Sequence, residues 1–177
     1  MILGTYKDKS GVPVKIRTPE KKDLDKLTDY INSFVDERAY ISVDKKISKK
    51  EEKVWLEGTL HNIKSKRGLY IMAERSGKLA GTADIRIGFG RLSHVAEVGI
   101  SVFKDFRDLG IGKILMGEMI KQSKKLGIKV LKLGVFPQNK TAIKMYKKFG
   151  FKKYAALPKG LKFGGKFFDD ILMYKHI

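Results

Sequence analysis

With 177 residues, 42% of them hydrophobic, the chain is the size of one domain, and nothing in its composition marks off a second. Its formal charge of +19, from 38 Lys and Arg against 19 Asp and Glu, attracts polyanions, a nucleotide or nucleic acid alike. The absence of cysteine excludes disulfides, thiolate metal ligands and a cysteine nucleophile, and no apolar run reaches the roughly 20 residues that span a bilayer.

The start, Met1 to Lys9, lacks the apolar segment of a secretory signal, so the sequence reads as a soluble, cytoplasmic protein without membrane association. Many lysines with only two Gln and three Asn lean towards a thermophilic source. The basic residues are spread along the chain, which argues for solubility and steering more than for dedicated nucleic-acid recognition.

Val12 to Arg17 alternates as a strand, and Thr18-Pro19-Glu20, with a threonine N-cap and proline in the first turn, predicts a helix to about Phe34. That helix is expected to bury Leu24, Leu27 and Ile31. Val35 to Lys46 is irregular. Ser48 to Glu51 is a capping box that opens a second helix to about Lys64, with Trp55, Thr59, Leu60 and Ile63 at helical spacing. Leu69 to Arg75 and Lys78 to Ile87 form a hairpin through Ser76-Gly77, and the Gly88-Phe89-Gly90 turn leads into a third antiparallel strand.

The stretch from His94 to Lys113 organises the rest. Its first part is a β-branched run with a single carboxylate, Glu97, and its second a basic, glycine-punctuated turn entering an amphipathic helix. Glycines at a helix start present open backbone N–H groups where the dipole favours an anion, so the stretch reads as a phosphate cradle beside a buried carboxylate. The helix from Gly110 to Leu126 buries Ile111, Ile114, Leu115 and Met119 and returns through Gly127 into a strand from Ile128 to Val135. This unit implies one parallel crossover in an otherwise antiparallel sheet, an α/β domain spanning 1–177. A last helix carries Ala142, Ile143, Tyr146 and Phe149. Strands at Phe151 to Ala156 and Phe167 to Lys175 follow, with a basic loop from Pro158 to Lys166 between them.

Arg107-x-x-Gly110-x-Gly112 heading one helix, and Asn139-x-x-Ala142-x-x-x-Tyr146-x-x-x-Gly150-Phe151 heading and closing the next, resemble the GNAT acetyltransferase superfamily. The likeness runs in element order from Val14 to Tyr174 and is most specific from Val95 to Phe151. Ala96 to Ile100 and Phe168 to Met173 are further similar to the amino-acid and ribosomal-protein N-acetyltransferase branches.

The resemblance implies acetyl-CoA as co-substrate and no metal. Backbone groups of Ile100 and Val102, with Ser101 between them, would bond the acetyl-pantetheine arm as an added strand. The N–H groups of Arg107, Asp108, Leu109, Gly110, Ile111, Gly112 and Lys113 would hold the pyrophosphate. Asn139, with Ala142 on the next turn, would contact the pantetheine arm, and Tyr146 would protonate the departing thiolate. The family usually has glycine where this chain has Asp108. The acceptor site is expected between the first two helices and the last strands, where Asp36, Glu37, Asp84 and Asp169 could attract a cationic amine.

A lysine-type amine, with a pKa near ~10.4, must lose a proton before it attacks, and Glu97 is the candidate base, acting through a water. Without a cysteine, direct transfer to a primary amine is expected: a protein N-terminus, an amino acid or a polyamine. His61, His94 and His176 have no metal-ligand spacing. The rival reading is a non-catalytic acetyl-CoA-binding module whose basic surface meets RNA or the ribosome. A homodimer is left open.

Overall fold

In the computed structural model, which describes residues 1–177, one eight-stranded sheet runs through the whole chain. In chain order the elements are β1 (Ile2–Lys7), β2 (Pro13–Arg17), α1 (Leu24–Asp36), α2 (Lys49–Lys64), β3 (Gly68–Arg75), β4 (Lys78–Ile87), β5 (Val95–Val102), α3 (Ile111–Lys125), β6 (Val130–Val135), α4 (Lys140–Lys148), β7 (Lys152–Phe163) and β8 (Lys166–His176). The strands lie in the order β1-β2-β3-β4-β5-β6-β8-β7, and only β5 and β6 are parallel, joined by the crossover through α3. This is the mixed sheet with one crossover that the element order predicts.

Helices cover both faces. On one, Ile111, Leu115, Met116 and Met119 of α3 and Tyr146 of α4 pack against Ile71, Ala83, Ile85, Val98, Leu131 and Met173. On the other, Leu27, Tyr30 and Phe34 of α1 and Leu56 of α2 close over Met72 and Leu79. The predicted capping box forms: Ser48 Oγ accepts from Glu51 N–H, and Glu51 Oε2 accepts from Ser48 N–H at 2.8 Å. The inward stripe of α2 is Glu52 and Leu56, while Trp55 stays 40% exposed with its ring edge-on to Tyr70.

The first helix starts later than Thr18-Pro19 suggests. Thr18 Oγ1 accepts from the Met1 amino group at 2.9 Å, and a capping box between Glu20 and Asp23 opens a short 3-10 turn ahead of α1. The buried stripe is Leu27, Tyr30 and Phe34, with Ile31 only half-buried. β1, which shows no alternation in sequence, is held by its ladder to β2 and by Tyr6, whose hydroxyl donates to the buried Glu118 of α3. The segment expected as a loop from Pro158 to Lys166 is the outer half of the β7–β8 hairpin. It turns at Gly164 and Gly165, whose φ values of 56° and 77° suit glycine.

Arg17 is the main polar tie in the core. Only 8% exposed, it donates from Nη1 and Nη2 to both Asp23 oxygens at 2.7 Å, and from Nε and Nη2 to Glu74 at 2.9 and 2.7 Å. It thereby locks β2, the entry to α1 and β3 together.

Candidate active site

The β5–β6 ladder is short. It pairs Val95 with Val130, Ala96 with Leu131 and Glu97 with Lys132, after which the strands diverge. Phe103 N–H donates to Ala80 O, so the antiparallel alternation turns the odd-numbered groups of β5 to β4 and leaves those of Ile100 and Val102 facing the gap. Val102 O is met by Arg107 Nε at 3.2 Å. Unpaired strand edges inside a fold are a place for an added extended chain that carries its own amides.

The turn beyond β5 ends at Gly110, in the left-handed region at φ +87°, immediately before α3. The N–H groups of Ile111 and Gly112 have no backbone acceptor, whereas Lys113 N–H, expected among the pyrophosphate donors, is taken by Gly110 O at 3.0 Å and leaves only the exposed Lys113 side chain beside them. Asp108 also has a left-handed backbone, φ +62°. The turn therefore keeps the geometry a glycine would adopt, and Asp is among the L residues that tolerate it. Asp108→Gly is expected to raise stability by about 1 kcal/mol in urea denaturation, because it removes a side chain from this conformation.

Arg107 and Glu37, expected in separate roles, are partners. The guanidinium binds both Glu37 oxygens, Nη2 to Oε2 at 2.8 Å, and joins the cradle to the end of α1. Asp36 is exposed and pairs with Lys46 at 3.0 Å. Asn139 caps α4, its Oδ1 accepting from Ala142 N–H at 3.1 Å, which leaves its amide NH2 free. Gly112 lets α4 close on α3: a Cβ there would stand 3.2 Å from Met145 Sδ.

Tyr146 is 6% exposed, its ring tilted against Phe151 at 5.8 Å. Burial, aided by the charge of Asp84, pushes its phenol up to about 12. Asp84 lies on the opposite face of the sheet, as its alternation with Ala83 and Ile85 requires.

Glu97 is not the buried carboxylate that its apolar strand suggests. Its side chain is 46% exposed and bonds Arg86 at 3.0 Å and Lys132 at 3.5 Å. Partial burial pushes its proton affinity up, but the two cations outweigh that and hold the carboxyl below its ordinary range. Asp84 behaves oppositely: burial raises it despite its ion pair with Arg86. Asp169 is exposed and accepts from Lys159 N–H at 3.1 Å; its neighbour Asp170 is the one beside the gap.

A row of side chains crosses the sheet at this level. Tyr70 pairs with Asp84, and Asp84 with Gly99. Continuing the Glu97–Lys132 register brings Gly134 opposite Gly99 across the gap. A Cβ on Gly99 would meet Asp84 Oδ1 at 2.6 Å, and one on Gly134 would meet both Asp170 oxygens at 2.6 Å. Each carboxylate thus lies flat over the glycine beside it. Asp170 is half-buried with Oδ1 lacking a partner, and burial raises its carboxyl against the pull of the nearby Val135 N–H. Glu52, on the inward stripe of α2, is 6% exposed, makes no ion pair and is raised by burial.

Neither Asp170 nor Glu52 was expected at the site, and neither was Tyr30, whose hydroxyl donates to Ser101 O at 3.0 Å and contacts Ser101 Oγ at 2.9 Å. Glycines inside strands were the available signal, since they mark a close approach by another group. At the wide end of the gap, Tyr40 from the α1–α2 connection, Phe136 and Phe163 form a trio with ring centroids 5.2 to 6.0 Å apart.

Residues 34–151 match the profile of the acetyltransferase (GNAT) family. An L-amino acid N-acyltransferase of Escherichia coli is 26% identical over 156 residues, covering 85% of this chain and 87% of that one. An L-amino acid N-acetyltransferase of the same organism is 43% identical over 72 residues, 37% of this chain and 44% of its own. Among solved structures, an acetyltransferase of the GNAT family from Streptococcus pneumoniae superposes with a TM-score of 0.83 at 28% identity, covering 93% of this chain and 99% of that one.

Proposed function

The chain belongs to the acetyltransferase (GNAT) family, and from that premise we propose that it moves an acetyl group from acetyl-CoA directly to a primary amine. The observation that carries this reading is the β5–β6 gap, with carboxylates over Gly99 and Gly134 beside it; the buried phenol of Tyr146, on the other face, is the proton donor in this reading. The open edge at Ile100 and the Val102 N–H, the glycine turn and the N–H groups of Ile111 and Gly112 suit a pantetheine arm and a pyrophosphate. When bound, acetyl-CoA supplies the activated thioester.

The residues of the chain divide the remaining work. The carboxylates on the α1–α2 face bind the amine and orient its nitrogen towards the gap. Glu97, half in water, takes up the amine proton through a water molecule. Tyr146 Oη gives its proton to the sulfur as the C–N bond forms and the C–S bond breaks. Counted from the ammonium form, the acceptor gives up two protons, one returned to sulfur by way of Tyr146 and one released to solvent.

Because Arg86 and Lys132 lower its proton affinity, Glu97 sits at the weak end of general bases. Glu97→Gln is expected to lower kcat roughly 10²-fold with the affinity for acetyl-CoA unchanged. Thiol release by the purified protein, with calorimetric binding of acetyl-CoA alongside, measures both. Undiminished turnover in that variant would take Glu97 out of the reaction.

A further inference from the structure

The α1–α2 face of the gap carries a cluster of acids on a strongly basic protein. Around the gap stand four carboxylates, Glu52, Asp84, Glu97 and Asp170, with two cations among them. Both cations are engaged already, Arg86 by Asp84 and Glu97, and Lys132 by Glu97. An α-amino acid would bring its own carboxylate next to Asp84 and Asp170, where Arg86 and Lys132 are already paired with carboxylates of the chain. The relatives named for L-amino acids therefore do not set the acceptor of this chain.

From this arrangement we infer that the acceptor is an aliphatic diamine or polyamine, its reacting amine held between Asp84 and Asp170 and its second ammonium directed to Glu52. This rests on the acetyl-transfer reading above and names its substrate. Three observations beyond the count of acids support it. Asp170 Oδ1 is buried with no partner, and Glu52, 6% exposed, makes no ion pair although its oxygens still reach solvent. Gly99 and Gly134 clear the space for the carboxylates on either side of the gap. The trio of Tyr40, Phe136 and Phe163 joins the α1–α2 connection to the hairpin across the wide end, which suits a slender alkyl chain better than a folded protein terminus.

The test is thiol release from acetyl-CoA with 1,4-diaminobutane, spermidine, n-butylamine, L-methionine and a short peptide with an N-terminal alanine. The polycations are expected to exceed n-butylamine in kcat/KM by roughly tenfold and L-methionine by roughly a hundredfold. Asp170→Asn and Asp84→Asn, each made alone, are expected to raise the KM for spermidine by roughly tenfold, with acetyl-CoA affinity and circular dichroism unchanged. A diamine no better than n-butylamine, or a preference for L-methionine or the peptide, overturns the inference and leaves acetyl transfer standing. Silence on every amine with acetyl-CoA still bound is instead a failure of the acetyl-transfer reading. Calorimetric titration of spermidine into the CoA-loaded protein then decides the acid pair, and an absence of binding heat ends the inference too.

Discussion

Replacing Tyr146 by phenylalanine is expected to lower kcat by roughly 10²- to 10⁴-fold, the range a positioned general acid supplies, with the fold intact. The ring fills the core against Phe151, and phenylalanine fills the same space. The hydroxyl takes no hydrogen bond among the causes acting on its ionisation, so its removal strands no buried partner. Burial and the charge of Asp84 push the phenol up to about 12, which keeps the proton on the oxygen at neutral pH, where a departing thiolate needs it. The raised value also sets the sign of its effect on stability. At pH 7 the phenol is un-ionised in folded and unfolded chain alike, so Tyr146→Phe leaves the melting temperature there within a few degrees; the wild type loses stability only as pH rises from the unfolded value near ~10 through about 12, a loss the variant does not show. Turnover at saturating acetyl-CoA and amine, with calorimetric acetyl-CoA affinity as control, is the measurement. Unchanged turnover would mean that the sulfur receives its proton from another donor.

Arg17→Met is expected to cost about 3 to 5 kcal/mol, because it leaves the Asp23 and Glu74 carboxylates without the cation they surround. For a domain with a total stability of about 5 to 15 kcal/mol this approaches unfolding, and the urea midpoint records it. The pH dependence is specific. Arg17 first, and Lys26 with it, hold Glu74 down to about 2 against burial. At Asp23, burial pushes the carboxyl up, but Arg17 and the Glu20 N–H outweigh it and leave it lowered. Depressed carboxylates contribute above their unfolded values near ~4, and that contribution falls away as pH drops towards about 2. The wild-type protein should lose stability over that window, and the variant should lose much less. A variant as stable as the wild type at pH 7 would show that the network contributes no net stabilisation.

Much of this fold is legible in the sequence, and the reasons are local. Ser48 and Glu51 fix a helix start because both halves of the capping box are three residues apart. The strand, glycine turn and helix around Gly110 are set by a left-handed backbone requirement that few residues meet. The chain loses legibility where a partner far away in sequence decides. Thr18 looks like a helix cap, yet the amino group of Met1 takes its hydroxyl. Ile2–Lys7 becomes a strand only because β2 and Glu118 hold it. Glu97 reads as buried from its neighbours, and only the sheet register brings Arg86 and Lys132 beside it. For the same reason Asp169 draws notice where Asp170 is the residue at the gap: alternation depends on a register that a long bulged hairpin hides.

The three-pair junction between β5 and β6 has a thermodynamic consequence. Five strands lie on one side of it and three on the other, so most of the ladder that could join them is missing at the point of divergence. A bound extended arm would fill that vacancy and act as a sheet member. Its occupancy would then stabilise the fold by mass action, about 2.7 kcal/mol at a hundredfold excess over Kd. It would also slow hydrogen exchange at the Ile100 and Val102 amides, where no strand now shields them. A co-substrate bound there would in that sense belong to the architecture, and the protein would be stiffest when ready to react.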